Sequence, residues 1–313
     1  MSVECASATG SARRPLPRWA QRLLTREPGT ALAIFRFGVG LSLAVALGTV
    51  LLHGDVRPLW FPPAHGGYTP HGTGWLFSHL GGAGPSQVVA VFVAVLVAGL
   101  CLMVGLGGRI PALVALVGYP ALTSLAPDAV GAYDVLMTNA LWLLVLGQAT
   151  ATLSLDCVLR TGRLTDPTRR VFAWPRWLAL YQLVLVYFTT GIQKVSDTWV
   201  PGGRLSAVYY VMQQPDWQRF DMRFLAHVFP LTQAATLAVW CFEVSAPLLL
   251  VALALERRGA GRVGRWLRRA PFRRVWAGFG CTFHLGIAAT LVLGCFSPLA
   301  MSFYAALIPP PKR

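Results

Sequence analysis

YFTTGIQKVSDTWVPGG, Tyr187 to Gly203, carries an apolar segment straight into a polar stretch that ends in Pro and Gly, and it places Lys194 at the junction. The chain has 27 Lys and Arg residues, of which only two are lysines, so an amine at this position stands apart from a charge set otherwise built on arginine. Arginine stays protonated under nearly all conditions, whereas a desolvated lysine can release its proton, which makes Lys194 the candidate base. The simpler reading is an interfacial lysine whose stem lies in lipid while its head reaches the headgroups, a task arginine performs equally well.

The rest of the chain agrees with a membrane setting for this junction. Apolar residues make up 55% of the 313 residues and charged residues 12%, and the mean hydropathy is +0.55. A soluble domain of this size seldom reaches such values. Seven segments are long enough to cross a hydrocarbon core of roughly 30 Å: Thr30 to Leu52, Gln87 to Leu106, Ile110 to Leu125, Tyr133 to Leu155, Trp177 to Ser196, Phe224 to Leu255 and Val275 to Gly294. A last apolar stretch, Pro298 to Ile308, is short for a span and reads as re-entrant, interfacial or an eighth crossing. The fold class is therefore all-α, a multi-pass transmembrane helical bundle of seven to eight spans. Its parts are a basic cytoplasmic tail (1–29), a membrane domain (30–308) and a short C-terminal tail (309–313). The first apolar stretch runs more than 20 residues without a small-residue cleavage site and reads as a retained helix rather than a signal peptide.

A net charge of +15 would ordinarily suggest nucleic acid, but here the arginines fall in separate clusters between apolar segments. One lies in the tail (Arg13 to Arg26), one follows the fourth segment (Arg160 to Arg176) and the densest follows the sixth (Arg257 to Arg274). Alternating helices put all three on one side, which the positive-inside rule makes cytoplasmic, so no nucleic-acid partner is implied and the lipid bilayer is the partner. Lys194 then faces the extracytoplasmic side.

Arg36, Glu243 and His284 lie within apolar segments and would be expensive facing lipid, so they are expected to project into one interior region. From the cytoplasmic helix ends, Arg36 sits at about 10 Å, and Glu243 and His284 at about 15 to 20 Å. A buried ion pair with a histidine hydrogen bond and a catalytic group both fit these three residues. The six cysteines form no CxxC pair and read as small core residues. His53, His65, His71 and His79 match no metal-binding spacing, so no metal is expected. No Walker loop, dinucleotide fingerprint or GxSxG elbow is present.

The Lys194 segment resembles the YFxxGxKKxxxxWxxG run of the vitamin K-dependent gamma-carboxylase family, with Lys194 matching the second lysine of that run. AGLCLMVGLGGRIPALVALVGYPAL (Ala98 to Leu122), with Arg109, is similar to that family's second and third helices, and FRFGVG around Arg36, FEVSAP (Phe242 to Pro247) and TFHLG (Thr282 to Gly286) extend the likeness in order over about 275 residues. The shared module is the HTTM, or horizontally transferred transmembrane, domain. This resemblance implies a site with Lys194 as base, His284 and Glu243 as further catalytic candidates, and Tyr187, Trp199, Arg36 and Arg109 as binding residues. It also implies a reduced, vitamin K-like quinone as lipid-soluble cofactor and a location in a bacterial cytoplasmic membrane. Gln193 replaces the first lysine of the family's pair, and GAYDVLMTNA (Gly131 to Ala140) carries Asp134 and Tyr133 where the carboxylase has a histidine. No counterpart of its large luminal domain is read in the 313 residues. HTTM proteins that accompany secreted toxins imply the alternative, a non-enzymatic accessory protein for maturation or export of a secreted peptide. A lipid or quinone binder without turnover is a third reading.

Overall fold

A computed structural model describes residues 17, 21, 23–68, 74–258 and 272–309, and it is mostly helical. The principal helices are α1 (Thr30–His53), α2 (Pro85–Val104), α3 (Ile110–Thr123), α4 (Ala132–Leu146), α5 (Trp174–Gln193), α6 (Phe229–Val244), α7 (Ala246–Arg258), α8 (Phe272–Thr290) and α9 (Phe296–Phe303), the last continued by a 3-10 turn, Tyr304–Leu307. A two-stranded antiparallel sheet joins β1 (Arg26–Pro28) to β2 (Arg170–Phe172). Three helical stretches are long and apolar enough to cross a membrane by length and composition: Thr30–His53, Pro85–Val104 and Arg223–Val244.

Local sequence accounts for most helix boundaries. Pro85, Pro111, Pro175 and Pro230 sit in first turns, where no N–H is required of them. Asp134 accepts a hydrogen bond at 2.6 Å from the Gly131 N–H and so fixes the start of α4. Two boundaries differ from the sequence expectation. The span read as Tyr133 to Leu155 ends at Leu146, because the chain turns through Gly147 to Ser154 before a separate short helix, Leu155–Thr161. The span read as Phe224 to Leu255 is broken at Ser245, since Pro247 has no N–H to donate to the carbonyl of Glu243.

α1 forms the spine of the bundle. Its buried residues Leu32, Phe35, Val39, Leu43 and Leu47 join the main core, which α2, α3, α4, α5 and α9 complete. α1 and α2 approach so closely that a Cβ at Gly40 would lie 2.3 Å from the Met103 nitrogen. Small residues at such crossings let helices gain dispersion contact where lipid supplies no hydrophobic drive.

The two ends of the bundle can be told apart from these contacts. β1 precedes α1 and β2 precedes α5, so their pairing puts Arg26 and the Arg160 to Arg176 cluster at one end; the other arginines of the tail and the middle of the Arg257 to Arg274 cluster lie outside the described residues. At that end a buried, bidentate pair joins Arg176 to Glu27 (2.6 and 2.8 Å), and Arg176 also donates to the Ala306 carbonyl at 3.1 Å. Asp166 organises the neighbouring loop; the hydroxyl of Thr168, then the N–H groups of Arg169 and Thr168, hold its carboxylate below the usual range. At the opposite end, Val292 N–H donates to Trp217 O at 2.7 Å and Arg219 N–H to Thr290 O at 2.9 Å. The last apolar segment starts there, with Gly294 beside Tyr133, and finishes at Ala306 beside Arg176. It therefore runs through the bundle between its two ends, largely buried.

Candidate functional site

α5 carries Tyr187, Gly191 and Lys194 at positions i, i+4 and i+7, which share one helical face. α6 crosses that face at Gly191, where an added Cβ would lie 2.9 Å from both Glu243 Cβ and Val244 N. Any side chain at 191 would push α6 away from α5. This close crossing sets Glu243 against Lys194, whose Nζ donates to Glu243 Oε2 in an ion pair. The Glu243 side chain is 6% exposed and that of Lys194 22%, so the pair is sheltered on the acid side and open on the amine side.

Past Lys194 the chain folds back. Trp199 N–H donates to Ser196 O (2.9 Å), Arg204 N–H to Asp197 O (2.7 Å) and Ala207 N–H to Thr198 O (3.0 Å). This knot lays the Trp199 ring over the ammonium, 4.4 Å from Nζ to the ring centroid. Thr236 of α6 accepts from Val208 N–H at 3.1 Å, and Gln233 donates to Arg204 O at 2.8 Å, so the loop packs along the half of α6 that extends beyond Lys194. Lys194 lies at the end of α5, and its partner Glu243 lies midway along the Phe229–Arg258 stretch that α6 and α7 form. The amine turns inward toward a carboxylate and a ring rather than outward.

One to two turns further into the bundle is a second polar group. The Tyr187 hydroxyl shares hydrogen bonds with His284 Nε2 at 2.5 Å and with the Tyr304 hydroxyl at 2.7 Å. Phe242 and Trp276 pack edge-on against Tyr187, with centroids 4.9 and 5.5 Å away, and Trp276 stacks on Tyr304 at 5.8 Å. His284 is 1% exposed.

The expected single cluster of Arg36, Glu243 and His284 is replaced by separate centres. Arg36, 1% exposed, donates to the carbonyls of Ala149 (3.1 Å), Met103 (3.2 Å), Leu153 (2.6 Å) and Leu102. Arg109, at the start of α3, donates to Gly147 O at 3.1 Å. Both lie at the β1–β2 end, where Asp156 also caps Gly107 and Gly108. Seven candidates thus divide into Lys194, Glu243 and Trp199; Tyr187 and His284; and Arg36 and Arg109. Sequence reading missed Tyr304, Glu27 and the buried hydrogen bond from Tyr119 to Asp134. For Glu27 a signal existed, a rare acid directly before the first apolar segment. Among the described residues no group of three His, Cys, Asp or Glu side chains is placed to hold a metal ion. Cys157 and Cys295 are buried, and Cys241 is exposed.

Neither a curated protein nor a solved structure matches this chain. The family described as HTTM domain matches residues 25–258, well over half of the sequence. The match contains Arg36, Arg109, Tyr187, Lys194, Trp199 and Glu243, whereas His284 and Tyr304 come after it. With its helical bundle, its apolar helices and this match, the chain belongs to the HTTM domain family of membrane proteins.

Proposed function

We propose that this protein is a membrane enzyme in which Lys194 and Glu243 act as an acid–base pair on a lipid-soluble substrate, with a reduced quinone as the class the family resemblance implies and carboxylase-like or redox chemistry as the reaction. The observation that carries the reading is the half-open ion pair: Lys194 has one N–H on Glu243, the Trp199 ring over its ammonium, and no other hydrogen-bond partner among the described residues. Moving a proton from Nζ to Glu243 Oε2 converts two charges into a neutral amine and a neutral acid. The amine then accepts a proton from a hydroxyl placed against it, and Glu243 returns the stored proton when the cycle closes. An amine, a carboxylic acid and a flat aromatic wall suit the hydroxyl and ring edge of a reduced quinone, which when bound would supply the reducing equivalents. Trp199 positions such a ring and limits water around Nζ.

The same reading gives the chain eight crossings, counting α6–α7 as one and the α9 segment as the last. The arginine-rich β1–β2 end faces the cytoplasm of a bacterial cell, and Lys194 opens toward the extracytoplasmic side. The decisive experiment replaces the base by a cation that cannot serve as one. In a strain whose phenotype depends on this gene, Lys194→Arg, present in the membrane at wild-type level, is expected to fail as completely as Lys194→Ala. Full complementation by Lys194→Arg would remove the base and leave the accessory role in export or maturation of a secreted peptide.

A further inference from the structure

The polar chain Tyr304–Tyr187–His284 ends at an atom with no partner. His284 Nδ1 is buried and has no hydrogen-bond partner among the described residues. An orphaned polar atom in such a place costs free energy comparable to a lost hydrogen bond, so its retention calls for an explanation. His284 and Tyr187, whose hydroxyl is already engaged, line a cavity of about 30 Å3 whose remaining wall is apolar: Leu136, Leu183, Val186, Phe296, Ala300 and Phe303. Val186 is 37% exposed on the outer surface of the bundle, so the cavity lies beside the face that lipid covers.

The direction of the hydrogen bonds follows from counting donors. If Tyr304 O–H donates to Tyr187 and Tyr187 O–H donates to His284 Nε2, every hydroxyl proton in the chain is used, and in the neutral imidazole the remaining proton sits on Nδ1. The reverse direction leaves the buried Tyr304 proton without an acceptor, because Tyr304 has no second hydrogen-bond partner among the described residues. The arrangement that satisfies both hydroxyls therefore leaves Nδ1–H as a buried donor in need of an acceptor. A buried water makes about three hydrogen bonds, and this cavity offers a single free polar atom. A molecule with one acceptor oxygen on a slender apolar body matches it better.

We propose that the cavity beside His284 is a membrane-side binding site for a lipid-soluble carbonyl compound, a ketone or ester whose oxygen accepts from Nδ1–H while its alkyl chain leaves between α4, α5 and α9 toward lipid. Tyr187 and Tyr304 hold the imidazole in the donating tautomer. The chain is closed at Tyr304, so it orients a ligand rather than delivering protons. The site stands on this chain alone and holds whether or not Lys194 acts as a base.

The test uses purified full-length protein in lipid nanodiscs with 15N-labelled histidine, His284 being assigned by comparison with His284→Asn. Nitrogen NMR should report the Nδ1–H tautomer for His284. Titration with 2-undecanone should move its Nδ1 resonance, whereas undecane should leave it in place, and Ala300→Leu, which fills the cavity without touching the polar chain, should abolish the ketone response while the tautomer persists. An Nε2–H tautomer overturns the proposal. So does an equal response to undecane, a ketone response that survives Ala300→Leu, or an Nδ1 proton exchanging with a water that the ketone does not displace.

Discussion

Arg36 and Lys194 are both cations inside one helical bundle, yet they are held in opposite ways. Arg36 is nearly sealed, and its fork donates to four backbone carbonyls drawn from the end of α2 and the 149–153 turn, with no carboxylate hydrogen-bonded to it among the described residues. Lys194 has one carboxylate, one ring face and an opening. A buried guanidinium with four of its five N–H groups on main-chain oxygens acts as a cross-link, because it is sealed away from any ligand. An ammonium with donors to spare, paired with an acid that can take its proton, is arranged for exchange. On the proposed reading, the contrast puts architecture at the β1–β2 end and chemistry at the other.

The contrast fails first if Arg36 can be spared. Arg36→Met removes the only side-chain donors offered to four carbonyls and should lower stability by about 4 kcal/mol, near the upper end for a single substitution. Arg36→Lys restores the charge without the planar fork and should recover only a small part. Thermal unfolding of the detergent-solubilised protein, followed by the monodisperse fraction, reads both. A Met variant with wild-type unfolding would show that the carbonyls do not need the fork.

A smaller effect is expected at the other cation, and its form is more telling than its size. Glu243→Leu leaves the ammonium with Trp199 alone, and Lys194→Met leaves the carboxylate unpaired; each should cost about 2 kcal/mol. The double variant, with both groups apolar, should return most of that, because removing a whole pair is cheaper than breaking it. Stability would recover while complementation stayed lost. A double variant as unstable as the two singles added together would place Lys194 and Glu243 with the structural cations and erase the distinction from Arg36.

How much of this could be read from residues alone differs between the two ends. Lys194 was visible because one of only two lysines in an arginine-rich chain, at the end of an apolar segment, is a compositional anomaly, and Glu243 and His284 because intramembrane polar groups need partners. Their pairing was not visible, since depth counted along helices assumes straight, full-length spans, while α5 stops at Lys194 and the α6–α7 rod continues past it. Arg36 was grouped with Glu243 for the same reason. Its actual partners are carbonyls, which every residue carries and no sequence pattern marks. One of them belongs to Leu153, a non-glycine residue at a φ of 49°, a turn that only the assembled loop could reveal. Tyr304 escaped notice because its short apolar segment was read without assigning its side chains any partners, whereas Tyr304 packs against Trp276 of α8 and hydrogen-bonds to Tyr187.

The finest difference between the two cations is the Trp199 ring, which Arg36 has no equivalent of. A ring 4.4 Å from an ammonium contributes about 0.5–1 kcal/mol at a partly exposed site, too little to judge by unfolding alone. Reactivity of the amine is the better measure, because the chain has only one other lysine, Lys312, as an internal reference. Acylation of solubilised protein, quantified by mass spectrometry of the two lysine peptides, should rise at Lys194 by about two- to fivefold in Trp199→Leu, the factor that such an energy represents. Trp199→Phe, which keeps an aromatic face, should rise less. The backbone hydrogen bonds from Trp199 to Ser196 and from Ala207 to Thr198 do not involve the ring, so the loop keeps its path in both variants and the change reports the ring itself. Unchanged acylation in Trp199→Leu would mean that Glu243 alone holds the amine, and the open side of the pair would then be bounded by the loop backbone instead of by the indole.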